Sequence, residues 1–402
     1  MKNKPLASIL LVVFIDLLGF SLILPLLPYY AKTFNASDIL IGLLISSYAA
    51  MQLVGAPLLG RLSDRYGRRL VLLISIFGTL IGFLLLGFAR TLWMLFVSRI
   101  VDGFTGGNIS VAQAYISDVT DARDRARGLG MVGAAFGLGF IIGPVTGGVL
   151  SQWGYAVPAF AAAGLAMLNL ILVAVWLPES LTAEMRSELQ VTKTGLTASA
   201  LITALKRPFS GPLLITRFFF GLAFAVFQTI FSLHALTRFQ LSATQTGYIL
   251  TYVGVLLVFV QGFLVGRLTR FIREDILIVL GVGVMAFSLL GWALAPNIPV
   301  LLVILIPIAI SGGILNTLLN STLTKVVRPQ EVGGILGLSA SIESLTRVLA
   351  PTLGGALLGA IGVWSPGAFG ALLLTGLTIY IWRALANPSV VDALEAEIVN
   401  AS

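Results

Sequence analysis

Twelve stretches of the chain are apolar for about twenty residues or more, the length a helix needs to cross the hydrocarbon core of a bilayer. They lie at 6–30, 40–60, 70–89, 92–116, 128–150, 155–177, 210–235, 246–266, 276–295, 298–320, 333–358 and 365–385. A transmembrane barrel would instead show short segments alternating between apolar and polar residues, and these are missing. The expected fold class is therefore an all-α polytopic membrane protein with twelve transmembrane helices. Composition agrees: 57% of the residues are hydrophobic and 10% charged, against roughly a quarter charged in a soluble domain. The first run, Leu6 to Tyr30, is too long for a signal core and lacks a small-residue cleavage site. It reads as the first span.

The basic residues fall on one side of this pattern. With the N-terminus placed in the cytoplasm, the inner segments hold Lys2, Lys4, Arg61, Arg65, Arg68, Arg69, Arg123, Arg125, Arg127, Arg186, Lys193, Lys206, Arg207, Arg267, Arg270, Arg273, Lys325, Arg328 and Arg383. The outer segments hold only Lys32, Arg90 and Arg238. Nineteen against three obeys the positive-inside rule, so both termini are expected in the cytoplasm. The inner segment 178–208 is longer and more polar than the others and reads as a linker with some helical character. It divides the chain into six-span halves, 1–177 and 209–402.

The net charge of +8 is then a matter of loop residues facing anionic lipid. No aromatic–basic pattern calls for nucleic acid. The chain has no cysteine and one histidine, His234, which excludes disulfides, thiolate or His-cluster metal sites and a His-paired nucleophile. His234 ends an apolar run and reads as an interfacial residue. A G-x-x-x-x-G-K-[ST] loop is missing as well, which argues against nucleotide-driven transport. Neither enzyme activity, nor a cofactor, nor a metal is expected.

The halves repeat each other at an offset near 206 residues. "LLGRLSDR" at 58–65 faces "LVGRLTRF" at 264–271, and "GPVTGG" at 143–148 faces "APTLGG" at 350–355. Both matches fall at equivalent spans. Duplicated halves mark secondary transporters whose substrate site lies near the bilayer midplane.

Four motifs carry a family resemblance. They are "DLLGFSLILPLLP" from Asp16 to Pro28, "GRLSDRYGRR" at 60–69, "SRIVDG" with Arg99, and "GLGFIIGPVTGG" at 137–148. In this order the chain resembles the major facilitator superfamily, and within it the twelve-span drug:proton antiporters that include tetracycline efflux proteins. The resemblance implies alternating access and export of a lipophilic compound, cations among the candidates, in exchange for protons. The alternative on the same fold is proton-coupled or facilitative transport of a sugar, an organic anion or a lipid, and an anion site would make Arg217 or Arg347 essential to binding. It further implies a monomer in the bacterial cytoplasmic (inner) membrane. One departure matters: tetracycline pumps carry acidic residues in spans three and nine, and here neither span has one. That weighs against a metal–tetracycline chelate as cargo, although Gln52 fits the tetracycline-pump pattern.

Charge inside a span costs at least ~2.5–3.5 kcal/mol on insertion scales, so each such residue is a functional candidate. Asp16 has no opposite charge within a helical turn, and desolvation penalises its charged form, which suits a proton carrier. A buried ion pair with Arg99 or Arg217 is the alternative. Arg99 and Asp102 are three apart on one helix face, and Glu343 and Arg347 four apart, so each pair can neutralise itself. In the family the span-four arginine is linked to proton transfer, so Asp16, Arg99, Asp102 and Glu343 are the proton-coupling candidates. Arg217 and Arg347 join Gln52, Asn108, Gln113, Tyr115, Phe220, Phe224, Gln228, Asn316 and Asn320 as candidates for the substrate cavity.

In the charged loop, Gly60 and Gly67 permit close approach and a tight reversal, and Asp64 offers a carboxylate to helix N-termini and arginines. The resemblance implies a conformational latch there, in which Arg65 and Arg69, beside Arg68, reach toward Asp118. In span five, Gly139, Gly143 and Gly147 repeat every four residues with Gly148 alongside, a stripe that lets helix backbones approach. Pro144 bends that helix.

Overall fold

The computed structural model describes residues 4–181, 204, 207, 210–328 and 331–385, and every element among them is helical. The sequence's twelve spans all appear. The first is α1 (Lys4–Ile23), a 3₁₀ turn at Leu24–Leu26 and α2 (Leu27–Thr33), the interruption falling where Pro25 and Pro28 withhold backbone donors. Then come α3 (Asp38–Tyr66) and α4 (Arg68–Gly87). The fourth span is two pieces, α5 (Leu92–Thr105) and α6 (Asn108–Val119), parted at Gly106 and Gly107. Next are α7 (Ala122–Leu150), α8 (Ala156–Trp176) and α9 (Ser210–Phe239). The eighth span joins α10 (Ala243–Phe259) through a π stretch, Val260–Leu264, to α11 (Val265–Leu268). The last four are α12 (Glu274–Leu294), α13 (Ile298–Lys325), α14 (Val332–Ala360) and α15 (Ser365–Leu385).

Eleven of these spans are continuous helical runs long and apolar enough to cross a membrane; the broken fourth is the exception. Large apolar side chains stand on the outside, with Phe287 80% and Leu372 76% exposed. Water would not tolerate so broad an apolar surface, and lipid does. Lys2, Arg186, Lys193 and Lys206, and the linker between 182 and 203, lie outside the described residues.

Among the described residues, one compact unit lies within Met1–Thr194 together with Ser232–Gly254. In it α1 packs on α7 and α8, α4 on α5 and α8, and α3 on α5. Small residues set these approaches. Gly55 lies against the backbone of Phe104, Gly103 against that of Tyr48, and Gly78 against Thr105. A side chain at any of them would push the broken span out of its groove. The second unit lies within Gly195–Phe231 together with Val255–Ser402, where α12 packs on α13 and α15.

Candidate functional site

Asp16 lies within α1 and is partly buried. Its Oδ1 accepts a hydrogen bond from Asn108 Nδ2 at 2.7 Å. Asn108 is the first residue of α6, so the glycine break in span four brings a helix N-terminus and a neutral amide to this carboxyl. Gln52 supports the break: its Nε2 donates to Gly106 O at 2.9 Å and to Tyr48 Oη at 3.2 Å. Among the described residues no cation pairs with Asp16; Arg99 and Arg217 are engaged elsewhere. Arg99 stands 3.2 Å from Asp102, both almost wholly buried, and its guanidinium lies 5.6 Å from the Phe83 ring centre. Among the described residues within the spans of the first unit, Arg99 and Asp102 thus neutralise each other, while Asp16 has a neutral amide as its hydrogen-bond partner.

The charged loop is smaller than the sequence suggested. Residues 60–66 are helical, and the whole reversal is Gly67, at φ 107°. Gly60 sits inside α3 with open space around its Cβ position, so it serves no turn. Arg68, not Arg65 or Arg69, meets Asp118. It is buried, with Nε on Asp118 Oδ2 at 3.0 Å and Nη1 on Ser63 Oγ at 2.7 Å and Asp64 Oδ1 at 2.5 Å. Arg65 lies exposed over the Tyr66 ring, and Arg69 donates to Ala174 O at 2.5 Å. Helix phase explains the exchange: once Gly67 turns the chain, residue 68 points inward.

Two residues that sequence reasoning missed complete this network. Glu179 accepts the backbone N–H of Arg68 at 2.8 Å and of Arg69 at 3.2 Å, capping α4 with a carboxylate. Ser180 Oγ donates to Asp118 Oδ2 at 2.9 Å. The only advance signal was a polar "PES" directly after the sixth apolar run. Tyr115 belongs here rather than to a cavity. It is fully buried, and its hydroxyl donates to Pro178 O at 3.0 Å.

The span-five stripe is a packing seam. Gly139, Gly143 and Gly147 face Leu17, Ser21 and Leu22 of α1, and Ser21 Oγ donates to Gly139 O at 2.8 Å. Gly148 and Pro144 face the start of α10, where Gly247 lies against Pro144 O and Thr244 Oγ1 donates to Gly148 O at 2.6 Å. Sequence gave no sign of a second tie in this region, Tyr29 Oη with Thr246 Oγ1 at 2.5 Å.

In the second unit, Arg217 on α9 is buried. Its Nη1 donates to Asn316 Oδ1 at 2.8 Å and its Nη2 to Glu343 Oε2. Arg347 Nη2 donates to the other oxygen of Glu343 at 2.6 Å. Asn320 accepts from Ser339 Oγ at 3.3 Å, while Gln113 and Gln228 are exposed. The expected phenylalanine lining turns inward instead: Phe220 and Phe224 are buried in a stack of rings that continues through Phe227 to Trp292. Adjacent helix turns place these rings on the packed face of α9. His234 is likewise buried, edge-on to Phe239, not interfacial. No group of three or more metal-ligating side chains occurs among the described residues.

The model for the Major Facilitator Superfamily matches residues 9–351 and, a second time, 213–398. The tetracycline resistance protein, class H, of Pasteurella multocida is 35% identical over 87% of this chain and 88% of its own. Solute carrier family 22 member 18 of Mus musculus is 31% identical over 89% of this chain and 90% of its own. Among solved structures, the human organic anion transporter MFSD10 (TETRAN) superposes with a TM-score of 0.69 at 21% identity, covering 94% of this chain and 99% of that one.

Proposed function

Because the chain belongs to the major facilitator superfamily, we propose that it is a secondary transporter that exports lipophilic, drug-like compounds in exchange for protons. Asp16 carries this reading. It is a partly accessible carboxyl inside a span, hydrogen-bonded to a neutral amide and left without a cation by the closed Arg99–Asp102 pair. Such a group gains and loses a proton at small cost in local charge balance. A carboxylate locked to an arginine does not.

In this reading a compound and a proton compete for the protein in alternate access states, with 1–177 and 209–402 as the two moving halves. A proton entering down 100 mV supplies ~2.3 kcal/mol before any pH gradient. The network around Arg68 is the latch, made and broken as the access state changes. Both termini lie in the cytoplasm, a reading supported by the nineteen-to-three distribution of basic residues. The membrane is the bacterial inner one, a reading supported by the likeness to the tetracycline resistance protein of Pasteurella multocida. The protein works as a monomer.

The test is transport by the purified protein in liposomes under an imposed pH gradient, with a pH dye inside. Lipophilic cations, tetracyclines and sugars are added in turn, and wild type is compared with Asp16→Asn. Substrate-evoked proton movement that vanishes in the variant is the expected result. Substrate flux with no proton movement for any compound would sink the antiport reading. Proton movement untouched by Asp16→Asn would take the carrier role away from Asp16 and with it the criterion of an unpaired carboxyl.

A further inference from the structure

The second unit holds two arginines and one glutamate inside its spans, a set that sums to one uncompensated positive charge. We propose that this set, Arg217, Glu343 and Arg347 with Asn316, is the docking site for a monoanionic group, such as a carboxylate or sulfonate, on the transported compound. The inference rests on the transport reading above and names the chemistry of its cargo.

Position makes the charge significant. Arg347 is fifteen residues after Val332 and thirteen before Ala360, roughly 20 Å of helix on either side at 1.5 Å per residue. Neither end of the helix is within reach for its head group to escape to the interface. A permanent cation at that depth is tolerated only where it is paired or lines water-filled space. Arg347 does both by halves. One nitrogen holds Glu343, yet the side chain remains 56% exposed.

The donors are also arranged for a guest. Exposure rises from Arg217 at 4% through Glu343 at 34% to Arg347 at 56%, so the cluster is closed behind and open in front. Glu343 gives one oxygen to each guanidinium and holds apart two cations that would otherwise repel. Each guanidinium has five N–H groups in a flat fork. Arg347 spends one on Glu343, and the buried Nε of Arg217 has no hydrogen-bond partner. A buried donor left unused in a membrane span is costly. An incoming monoanion meets the open fork of Arg347, brings the cluster to neutrality and leaves Glu343 in place. A cation would meet net repulsion, and a dianion would leave a residual negative charge.

The experiment uses two probes of one shape, 1-naphthaleneacetate and its neutral amide 1-naphthaleneacetamide, with tetraphenylphosphonium as a third, in liposomes containing the whole protein. The readout is the ratio of kcat/KM for acid over amide. Wild type is expected to favour the acid. Arg347→Gln should lower the ratio by about tenfold, the loss of one charge-assisted hydrogen bond, and Arg347→Lys by less. Glu343→Gln removes the competing carboxylate and should raise the ratio; it also serves if the arginine variant fails to fold. The inference is overturned if wild type favours amide or phosphonium, if acid and amide fall in parallel in Arg347→Gln, or if Glu343→Gln leaves the ratio unmoved. Phosphonium exchanged for protons while the acid is ignored would keep the export reading and sink this one. Acid transport that depends on Arg347 without proton movement would do the reverse.

Discussion

The repeated "GRL" segments make a natural pair for comparison. In the first copy the chain reverses at one residue, Gly67, and its charges interlock: buried Arg68 ties Ser63, Asp64 and Asp118 together, and Glu179 caps the helix that follows. In the second copy the turn runs from Thr269 to Arg273, and its charges form separate pairs at the surface. Arg273 meets Asp275 at 3.0 Å with its side chain 60% exposed, and Lys325 meets Glu274 at 2.7 Å with its side chain 58% exposed. The two copies share helix order but not the network: at the 206-residue offset Arg270 stands for Asp64, Arg273 for the turning Gly67 and Glu274 for the hub Arg68. A buried ion network needs every member; exposed pairs tolerate drift.

The largest expected effect follows from removing the hub. Arg68→Ala takes the cation from Asp118, whose side chain is 11% exposed, and leaves the hydroxyl of Ser180 as its partner. Breaking a buried pair from one side costs ~3–5 kcal/mol, so the thermal midpoint in detergent should fall steeply, with Arg68→Lys recovering part. A loss no larger than that of Lys325→Ala in the second copy, which should stay within ~1 kcal/mol, would erase the contrast. Next in size is Gly67→Ala. At φ 107° and ψ 149° the residue occupies backbone space nearly closed to side chains, worth about 1–3 kcal/mol. Gly60→Ala, in open space within a helix, should be neutral or stabilising by up to ~1 kcal/mol. Thermal midpoints that rank the two glycines the other way would show that the reversal is carried elsewhere.

What the sequence made legible follows a single physical line. Spans are set by hydrophobic length, so all twelve were visible, and pairs within one helix are set by its period, so Arg99–Asp102 and Glu343–Arg347 were visible too. Contacts between helices were not. Arg217 and Glu343 are 126 residues apart, and Glu179 and Arg68 are 111 apart. No local spacing announces such partners. The choice of Arg68 among four neighbouring arginines was hidden for a related reason: all carry the same charge, and only the phase set at Gly67 decides which points inward. The phenylalanines of α9 failed similarly, since periodicity could not say whether Phe220 and Phe224 face a cavity or their own unit's interior.

Smaller effects sharpen the comparison further. Glu179→Gln keeps an acceptor at the start of α4 but removes its charge, which should cost ~0.3–1 kcal/mol. Substituting Asp275 in the second copy, whose partner Arg273 is largely exposed, should cost no more than an ordinary surface pair. Equal losses at the two positions, read as thermal midpoints, would mean that the cap on α4 gains nothing from belonging to a network.

The smallest expected effect concerns the exposed pair Arg207–Glu331 in the second unit, joined by two hydrogen bonds of 2.8 and 3.0 Å. Hydrogen bonds from Arg207 hold the Glu331 carboxyl below its ordinary value. A depressed folded-state value fixes the sign. The contribution is fully present above the ordinary glutamate value of about 4.3 and fades as pH falls through the lower folded value. Solvent screening keeps it well under 1 kcal/mol. The midpoint difference between wild type and Glu331→Gln should therefore be small at pH 7 and shrink toward zero below pH 4. A difference that grew on acidification would mean the carboxyl is held up rather than down, and the exposed pair would then not be what sets its titration.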